Sequence, residues 1–165
     1  ADMIILTRSH LVTDTEGIEL AIRHRHPTVP IAYFYHDAVG LKDLRTGRHF
    51  LLRDLMNQLV IVVAAIGNPE VFLRDLAHYQ IRVADQIFFR DHHVFRQSEL
   101  DRALDQAREV GARCVMTTEK DAVRLSHLQF GEGELMVFQI EARPEDPNEF
   151  LRIWKEEVEG LLPPQ

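Results

Sequence analysis

Two hydrophobic patterns alternate along this chain: short apolar runs rich in β-branched residues, and segments in which apolar residues recur every three to four positions. The first pattern predicts strands and the second predicts amphipathic helices. Strands are predicted at residues 3–7, 30–35, 59–66, 81–89, 113–116 and 135–140, and helices at 15–24, 69–79, 98–110, 118–125 and 148–161. Because this alternation is typical of βαβ units, we expect an α/β three-layer sandwich with a mostly parallel, Rossmann-like sheet.

Residues suited to helix ends support these boundaries. Thr13 or Asp14 can cap the first helix, Asn68 followed by Pro69 can begin the second, and Gly111 can end the third. Residues 36–55 follow neither pattern, and their Thr46-Gly47 pair predicts a turn between two short extended arms. We interpret 36–55 as a ribbon or hinge within a single domain of residues 1–165.

The composition is that of a globular protein with an acidic surface. A chain of 165 residues with 45% hydrophobic and 27% charged residues can fold around its own core, which makes disorder a poor description. The net charge of −7 argues against a nucleic-acid partner, because such binding needs a basic face. A local site for a phosphorylated ligand at a helix amino terminus remains compatible with this charge.

The single cysteine is compatible with a reducing cytoplasm, and the apolar runs are too short to predict a membrane-spanning segment. Cys114 has no disulfide partner within the chain and lies in an apolar run, so we expect a buried strand residue. Leu59–Ile66 is far shorter than the ~20 residues that cross a bilayer. The chain starts directly on the apolar run after Ala1, without a secretory signal, and we expect this start to lie inside a longer protein.

Polar residues follow three of the predicted strands, each just before a helix: Gly67-Asn68-Pro69-Glu70, Asp91-His92-His93 and Thr118-Glu119-Lys120-Asp121. The carboxyl ends of parallel strands meet at one edge of a sheet, where helix amino termini offer free N–H groups to anions. We therefore expect the three loops to share one rim.

Each loop has a chemical interpretation and a purely structural one. In Asp91-His92-His93, an aspartate can orient an imidazole that accepts a proton near neutral pH, or the three can be ordinary loop residues. Metal binding by the same trio is a weaker alternative, because adjacent histidines usually diverge and no second ligand cluster is apparent.

The other two loops are explained as capped helix starts even without a ligand. Thr118 and Asp121 have the spacing of a capping box, and Gly67-Asn68-Pro69-Glu70 has the form of a helix start. Lys120 is disfavoured by the helix dipole unless it meets an anion, and Glu119 can bind a base or a sugar hydroxyl. The sequence contains no G-x-x-x-x-G-K-[ST] phosphate loop and no G-x-S-x-G hydrolase elbow.

In order and spacing the three loops resemble the carboxyl-terminal half of tetraacyldisaccharide 4'-kinases, the lipid A kinases. The family's Gly-Ile-Gly-Asn-Pro-Glu, Phe-Pro-Asp-His-His and Met-Thr-Glu-Lys-Asp-Ala-Val are matched here by residues 65–70, 89–93 and 116–123. Leu6-Thr7-Arg8 is similar to the strand that closes the family's nucleotide-binding half. Ala65 replaces a glycine of the pattern, and Arg90 replaces its proline.

The resemblance implies a P-loop-kinase-related fold and an enzyme that uses ATP and Mg²⁺ to phosphorylate the 4' position of a tetraacylated glucosamine disaccharide. It implies a partner, the amino-terminal P-loop domain of the same protein, and a peripheral location at the cytoplasmic face of the inner membrane of a Gram-negative-type bacterium. His92 would accept the hydroxyl proton together with an aspartate of that domain, and Asp91 would orient the ring. The substrate or nucleotide cleft would be lined by Asn68, Glu70, His93, Thr118, Glu119, Lys120 and Asp121.

Three functions therefore stay open from the sequence. The first is a kinase half that binds neither ATP nor a metal by itself and is inactive alone. The second is a binding or regulatory module that keeps the fold without the chemistry. The third, a metal-dependent phosphoesterase using Asp91-His92-His93, is the weakest.

Overall fold

A computed structural model describes residues 1–8 and 14–159, with the side chains of 157–159 excepted. The chain divides into two compact units, one comprising Ala1–Asp37 and Glu141–Gln165 and the other comprising Ala38–Ile140. Thr13, considered above as a helix cap, and the predicted end of the last helix at residue 161 lie outside the described residues.

The first unit contains a parallel strand pair and two helices. Strand β1 (Ile4–Thr7) pairs with the start of β2 (Ile31–Asp43), with Ile4 opposite Ile31. Helix α1 (Thr15–Arg25) begins as predicted, because the Asp14 carboxylate accepts a hydrogen bond of 2.8 Å from the Gly17 N–H. The last helix of the chain, α5 (Pro147–Glu159), also belongs to this unit.

The second unit carries the remaining elements on a mixed sheet that is mostly parallel. Its strands lie in the order β2-β7-β6-β4-β5, and β3 pairs antiparallel with β2. β4 pairs parallel with both β5 and β6, and β6 pairs parallel with β7. The elements after β2 are β3 (His49–Phe50), a 3₁₀ helix (Leu52–Leu55), β4 (Leu59–Ala64), α2 (Pro69–His78), β5 (Arg82–Phe88), α3 (Gln97–Glu109), β6 (Cys114–Thr118), α4 (Glu119–Leu125) and β7 (Leu135–Pro144).

The core of the second unit covers both faces of its sheet. Alternate residues of β4 belong to two separate buried clusters: Val60 and Val62 pack with Leu76 of α2, whereas Ile61 and Val63 pack with Leu100 of α3. A continuous apolar strand covered on both sides is what the sequence of β4 predicts. The expected layered α/β fold is thus confirmed.

The predicted ribbon around Thr46-Gly47 is confirmed as a hairpin between β2 and β3. Leu41 pairs with Phe50, and Gly47 has a positive φ of 75° that glycine adopts at no cost. At the base of the turn, the fully buried Asp43 carboxylate accepts the backbone N–H groups of Arg45, Thr46 and Gly133. Burial alone would raise the pKa of Asp43, but these backbone hydrogen bonds outweigh it and hold the pKa below its usual value. A hinge function for this ribbon stays a prediction.

The main departure from the predicted elements is the length of β2, which runs to Asp43 rather than ending at residue 35. Its middle residues are half-buried without a clear alternation, and the hairpin partner β3 continues the pairing. Helix α3 begins at Gln97, one residue before the predicted Ser98, because Glu99 accepts the Arg96 N–H at 2.8 Å. Cys114 is buried in β6 as predicted, and burial raises the pKa of its thiol to about 12.

Candidate functional site

The three polar loops meet at one edge of the second unit's sheet. The parallel register places Ala64 at the end of β4 beside Phe88 at the end of β5, and β6 lies on the other side of β4. Side chains from the loops then touch: Lys120 reaches Asp91, Arg124 reaches His92, and Asp121 accepts the N–H of Ala65. The expectation that these loops share a rim is confirmed for their main-chain positions and for these contacts.

His92 occupies a strained position in a tight turn. The His93 N–H donates to the Arg90 carbonyl oxygen at 3.1 Å, and His92, the third residue of this four-residue turn, has a φ of 64°. Turns of this form favour glycine at the third position, because a side chain in the left-handed region costs roughly 1 kcal/mol. The imidazole is nevertheless 78% exposed. The turn therefore presents the imidazole to solvent from a backbone conformation that residues other than glycine seldom adopt.

The closest partner of Asp91 is Lys120. The Lys120 Nζ lies 2.6 Å from Asp91 Oδ1, whereas His92 Nε2 lies 3.6 Å from Asp91 Oδ2, which is too long for a hydrogen bond. The hydrogen bond from Lys120 lowers the pKa of Asp91, and the His92 N–H contributes in the same direction. This ion pair supplies the anion that a lysine at a helix amino terminus was expected to meet.

Replacing Lys120 with methionine is expected to raise the pKa of Asp91 toward its ordinary value, since the largest cause of the depression is removed. The pKa would be measured from the carboxyl ¹³C shift of Asp91 during an NMR titration. Lys155→Met, which removes an exposed lysine from α5, is the matched control and should leave that pKa unchanged. An unchanged Asp91 titration in Lys120→Met would contradict the assignment.

His93 is part of the structure that supports the turn. Its ring stacks on Phe89 at a centroid distance of 4.3 Å and an angle of 10°, and its Nε2 lies 2.9 Å from Glu99 Oε2. Burial opposes ionisation of Glu99, but hydrogen bonds from His93 and from the Arg96 N–H outweigh it and lower the pKa of Glu99. The two adjacent histidines therefore have different environments, one solvent-facing and one packed.

Asp121 is fully buried and joins two of the loops. Its Oδ2 accepts the Ala65 N–H at 2.8 Å and the Thr118 hydroxyl at 3.1 Å. Thr118 in turn accepts the Asp121 N–H at 3.2 Å, which confirms the predicted cap of α4. In this arrangement the Asp121 carboxylate is directed into the protein and holds the loops together, rather than lining an open cleft as the sequence suggested.

Arg124 is a site residue that the sequence analysis missed. Its Nη1 lies 3.4 Å from Asp121 Oδ1 and its Nη2 lies 3.3 Å from His92 Nδ1. The available signal was its spacing, three residues after Asp121, which places both side chains on one face of α4. The contact with His92, 32 residues away in sequence, had no signature in the local pattern.

The remaining predicted residues lie at the same edge with looser attachments. Glu119 accepts bonds of 3.3 Å from the Gln139 side chain and the Ile140 N–H. Asn68 and Glu70 are exposed, and Asn68 stands at the cap position of α2 without a side-chain bond to the helix. A Cβ at Gly67 would meet no atom within 4 Å, so packing within the protein does not require glycine there.

Metal-ligand geometry is not found among the residues that the structure describes, where no three His, Cys, Asp or Glu side chains are grouped. At the candidate site, cations already occupy the donor atoms: Lys120 faces Asp91 and Arg124 faces His92 Nδ1. In this arrangement the Asp91 carboxylate and His92 Nδ1 have cationic partners.

Comparison with known proteins identifies relatives of one kind. Residues 1–159 match the family model described as tetraacyldisaccharide-1-P 4'-kinase. The tetraacyldisaccharide 4'-kinase of Parvibaculum lavamentivorans is 51% identical over 67 residues, which are 41% of this chain and 19% of that protein. The enzyme of the same name from Afipia carboxidovorans is 28% identical over 156 residues, 93% of this chain and 42% of that protein.

The solved structures show the same fold in a longer protein. LpxK from Aquifex aeolicus, crystallised with ATP, superposes with a TM-score of 0.55 at 15% sequence identity, covering 94% of this chain and 51% of that one. This chain thus spans about half the length of that structure, and less than half of the two enzymes above.

Proposed function

The chain belongs to the tetraacyldisaccharide-1-P 4'-kinase family, and on that premise we propose that it is the carboxyl-terminal half of an enzyme of lipid A biosynthesis. The complete enzyme transfers the γ-phosphate of ATP to the 4' hydroxyl of a tetraacyl glucosamine disaccharide. The observation that carries the proposal is the family match over residues 1–159, together with an exposed histidine at the edge where the three loops meet.

The proposal divides the work between two halves of the enzyme. Phosphoryl transfer needs a phosphate cradle and bound Mg²⁺, and this sequence has no phosphate-loop motif. Nor do the described residues offer a three-ligand metal group. We assign ATP phosphates and Mg²⁺ to an amino-terminal P-loop domain of the same protein, and we expect this chain alone to be inactive.

The part assigned to this chain is removal of the acceptor proton. His92 takes the proton as the 4' O–H bond breaks and the O–P bond to the γ-phosphorus forms, while the bond from that phosphorus to ADP breaks. An exposed imidazole suits this step near neutral pH. Asp91, which is paired with Lys120, faces Nε2 of His92 and balances the positive charge that the ring acquires on protonation.

The exposed polar residues of the edge are assigned to binding. Asn68, Glu70 and Glu119 carry hydrogen-bonding groups toward solvent on the loops that surround His92. In this proposal they contact hydroxyl groups of the sugar or of the nucleotide. Thr118, Asp121 and His93 act instead by fixing the shape of the loops, in agreement with their hydrogen bonds.

The acceptor's chemistry places the complete enzyme beside a membrane. Its four acyl chains would anchor the disaccharide in a bilayer, so the enzyme would act as a peripheral protein at the cytoplasmic face of the inner membrane, with membrane contact through the P-loop half. Among the described residues, no helix has the length and apolar character to cross a bilayer.

An assay with paired acceptors tests this function. The complete protein is given ATP, Mg²⁺ and either the tetraacyl disaccharide or the same lipid with its 4' hydroxyl already phosphorylated. The proposal expects a new phosphomonoester, seen by ³¹P NMR, only with the free 4' hydroxyl. No transfer, but saturable binding of the lipid, would favour a binding module, and metal-dependent loss of phosphate from the second lipid would favour a phosphoesterase.

A further inference from the structure

Among the described cations, Arg124 is the one that links the buried core of the second unit to the exposed His92. Its side chain is 24% exposed, and the guanidinium contacts a fully buried carboxylate on one side and an imidazole on the other. The family's loop motifs end before it, and the functional assignment above does not use it. Its two contacts nevertheless determine what the His92 ring can do.

The buried end of this link is fixed by several hydrogen bonds. Asp121 is tied to the Ala65 N–H and to the Thr118 hydroxyl, and both residues end strands of the sheet core or follow them directly. A carboxylate with 0% exposure has no solvent to move into. Asp121 therefore gives Arg124 a fixed anchor, and helix α4 carries both residues on one face.

The contact between Arg124 and His92 indicates which ring nitrogen carries the proton in the neutral imidazole. A guanidinium can only donate hydrogen bonds, so His92 Nδ1 is the acceptor in the 3.3 Å contact. In the neutral imidazole the proton then lies on Nε2, the nitrogen that faces Asp91 at 3.6 Å. The lone pair is consequently on Nδ1, on the side of α4 and Arg124.

We propose that Arg124 is a positioning residue for His92, anchored by Asp121, and that it presents Nδ1 as the nitrogen that accepts the proton. Arg124 holds the ring in the acceptor-free enzyme; when the acceptor binds, the 4' hydroxyl takes the place of the guanidinium N–H at Nδ1, and the Nε2–H remains directed toward Asp91. This inference rests on the proposed function for the identity of the hydroxyl. The link from Asp121 through Arg124 to the ring does not depend on it.

The link itself is tested in the 165-residue chain by NMR. The order of the His92 ring is measured from ¹³C relaxation in the wild type and in Arg124→Met, with the His93 ring as internal reference. Because Phe89 and Glu99 hold His93, its order should stay constant while that of His92 falls. Arg102→Met, which removes an exposed guanidinium from α3, should change neither ring.

In Arg124→Met, Asp121 is buried without its cation, which by itself can prevent folding. A second variant therefore controls for misfolding. The double variant Arg124→Met/Asp121→Asn removes the buried charge together with its partner, and the amide oxygen can still accept the Ala65 N–H. The same fall in His92 ring order is expected there. If the ring order is unchanged in whichever of these variants folds, the positioning role is overturned.

Kinetics of the complete enzyme separate positioning from general stability. Arg124→Met is expected to lower kcat/KM for the lipid roughly 10- to 100-fold with KM for ATP unchanged, because the acceptor then meets a ring that is not held in place. Arg124→Lys should recover only part of the loss, since one ammonium cannot span both contacts. An unchanged kcat/KM for the lipid overturns the proposal. An inactive wild-type enzyme would instead contradict the proposed function, while the ring-order result still decides the link.

Discussion

Replacing His92 with glycine in the complete enzyme is expected to lower kcat by at least about 100-fold without destabilising the fold. In the proposed function, loss of the imidazole removes the proton acceptor, which accounts for the lower kcat. The turn, however, holds His92 at a φ of 64°, where glycine is unstrained. The free energy of unfolding should therefore stay constant or rise by up to about 1 kcal/mol, as measured by urea denaturation.

Two further variants are controls for the expected loss of kcat without loss of stability. His92→Ala keeps a side chain in the left-handed region, so it should lose the rate without gaining stability. Gln80→Gly relieves a similar φ of 57° in the turn before β5 and should leave the rate unchanged. If His92→Gly retains full activity, His92 is a structural turn residue and the proton must leave by another route.

Replacing Asp43 with alanine is expected to destabilise the fold by about 3 kcal/mol near neutral pH. The change removes the acceptor of the N–H groups of Arg45, Thr46 and Gly133, and each of these part-buried hydrogen bonds contributes roughly 1 kcal/mol. Asp43→Asn keeps one acceptor oxygen and should lose less. Urea denaturation followed by circular dichroism measures both, and a loss below about 1 kcal/mol for alanine would contradict the role of Asp43.

The stability lost in Asp43→Asn is expected to depend on pH. The folded-state pKa of Asp43 is lowered from 3.8, so its contribution to stability is fully present above that value. The contribution disappears as the pH falls from about 3.8 through the lower pKa of the folded state. The stability difference between wild type and Asp43→Asn should shrink over that acidic range and stay constant above it.

The elements of this fold could be predicted where hydrophobic period and end signals agree. β4 is a continuous apolar run between turn residues, and α4 is capped by Thr118 with an acidic residue three positions later. β2 could not be delimited, because its middle is half-buried and its end pairs in a hairpin, so no single period applies. A local hydrophobic pattern predicts an element when one of its faces is buried. The prediction fails when buried and exposed residues do not alternate regularly.

The position of the candidate site could be predicted from the sequence, but the contacts between its residues could not. Strand-loop-helix order placed His92, Lys120 and Asp121 at one edge, since the edges of a parallel sheet follow from connectivity. The partners of these residues depend on distances between loops that are far apart in sequence. Lys120 pairs with Asp91 across 29 positions, and Arg124 reaches His92 across 32. The role of Asp121 also depends on its burial, which the residue type alone does not predict.

The strain at His92 illustrates the same limit. A positive φ is uncommon for any residue other than glycine, and although histidine is among the more frequent exceptions, the local sequence does not predict it at residue 92. In the proposed function, the need for an exposed imidazole accounts for this conformation.

The central claim is that this chain supplies the proton acceptor of a 4'-kinase whose phosphate-binding half lies elsewhere in the protein. Its most direct test is the rate of ³²P transfer from [γ-³²P]ATP, with Mg²⁺, to the tetraacyl disaccharide. The account predicts transfer by the complete protein, none by this chain alone, and a loss of roughly 100-fold or more in the complete His92→Ala variant. Full activity of that variant, or transfer by the isolated chain, would contradict it.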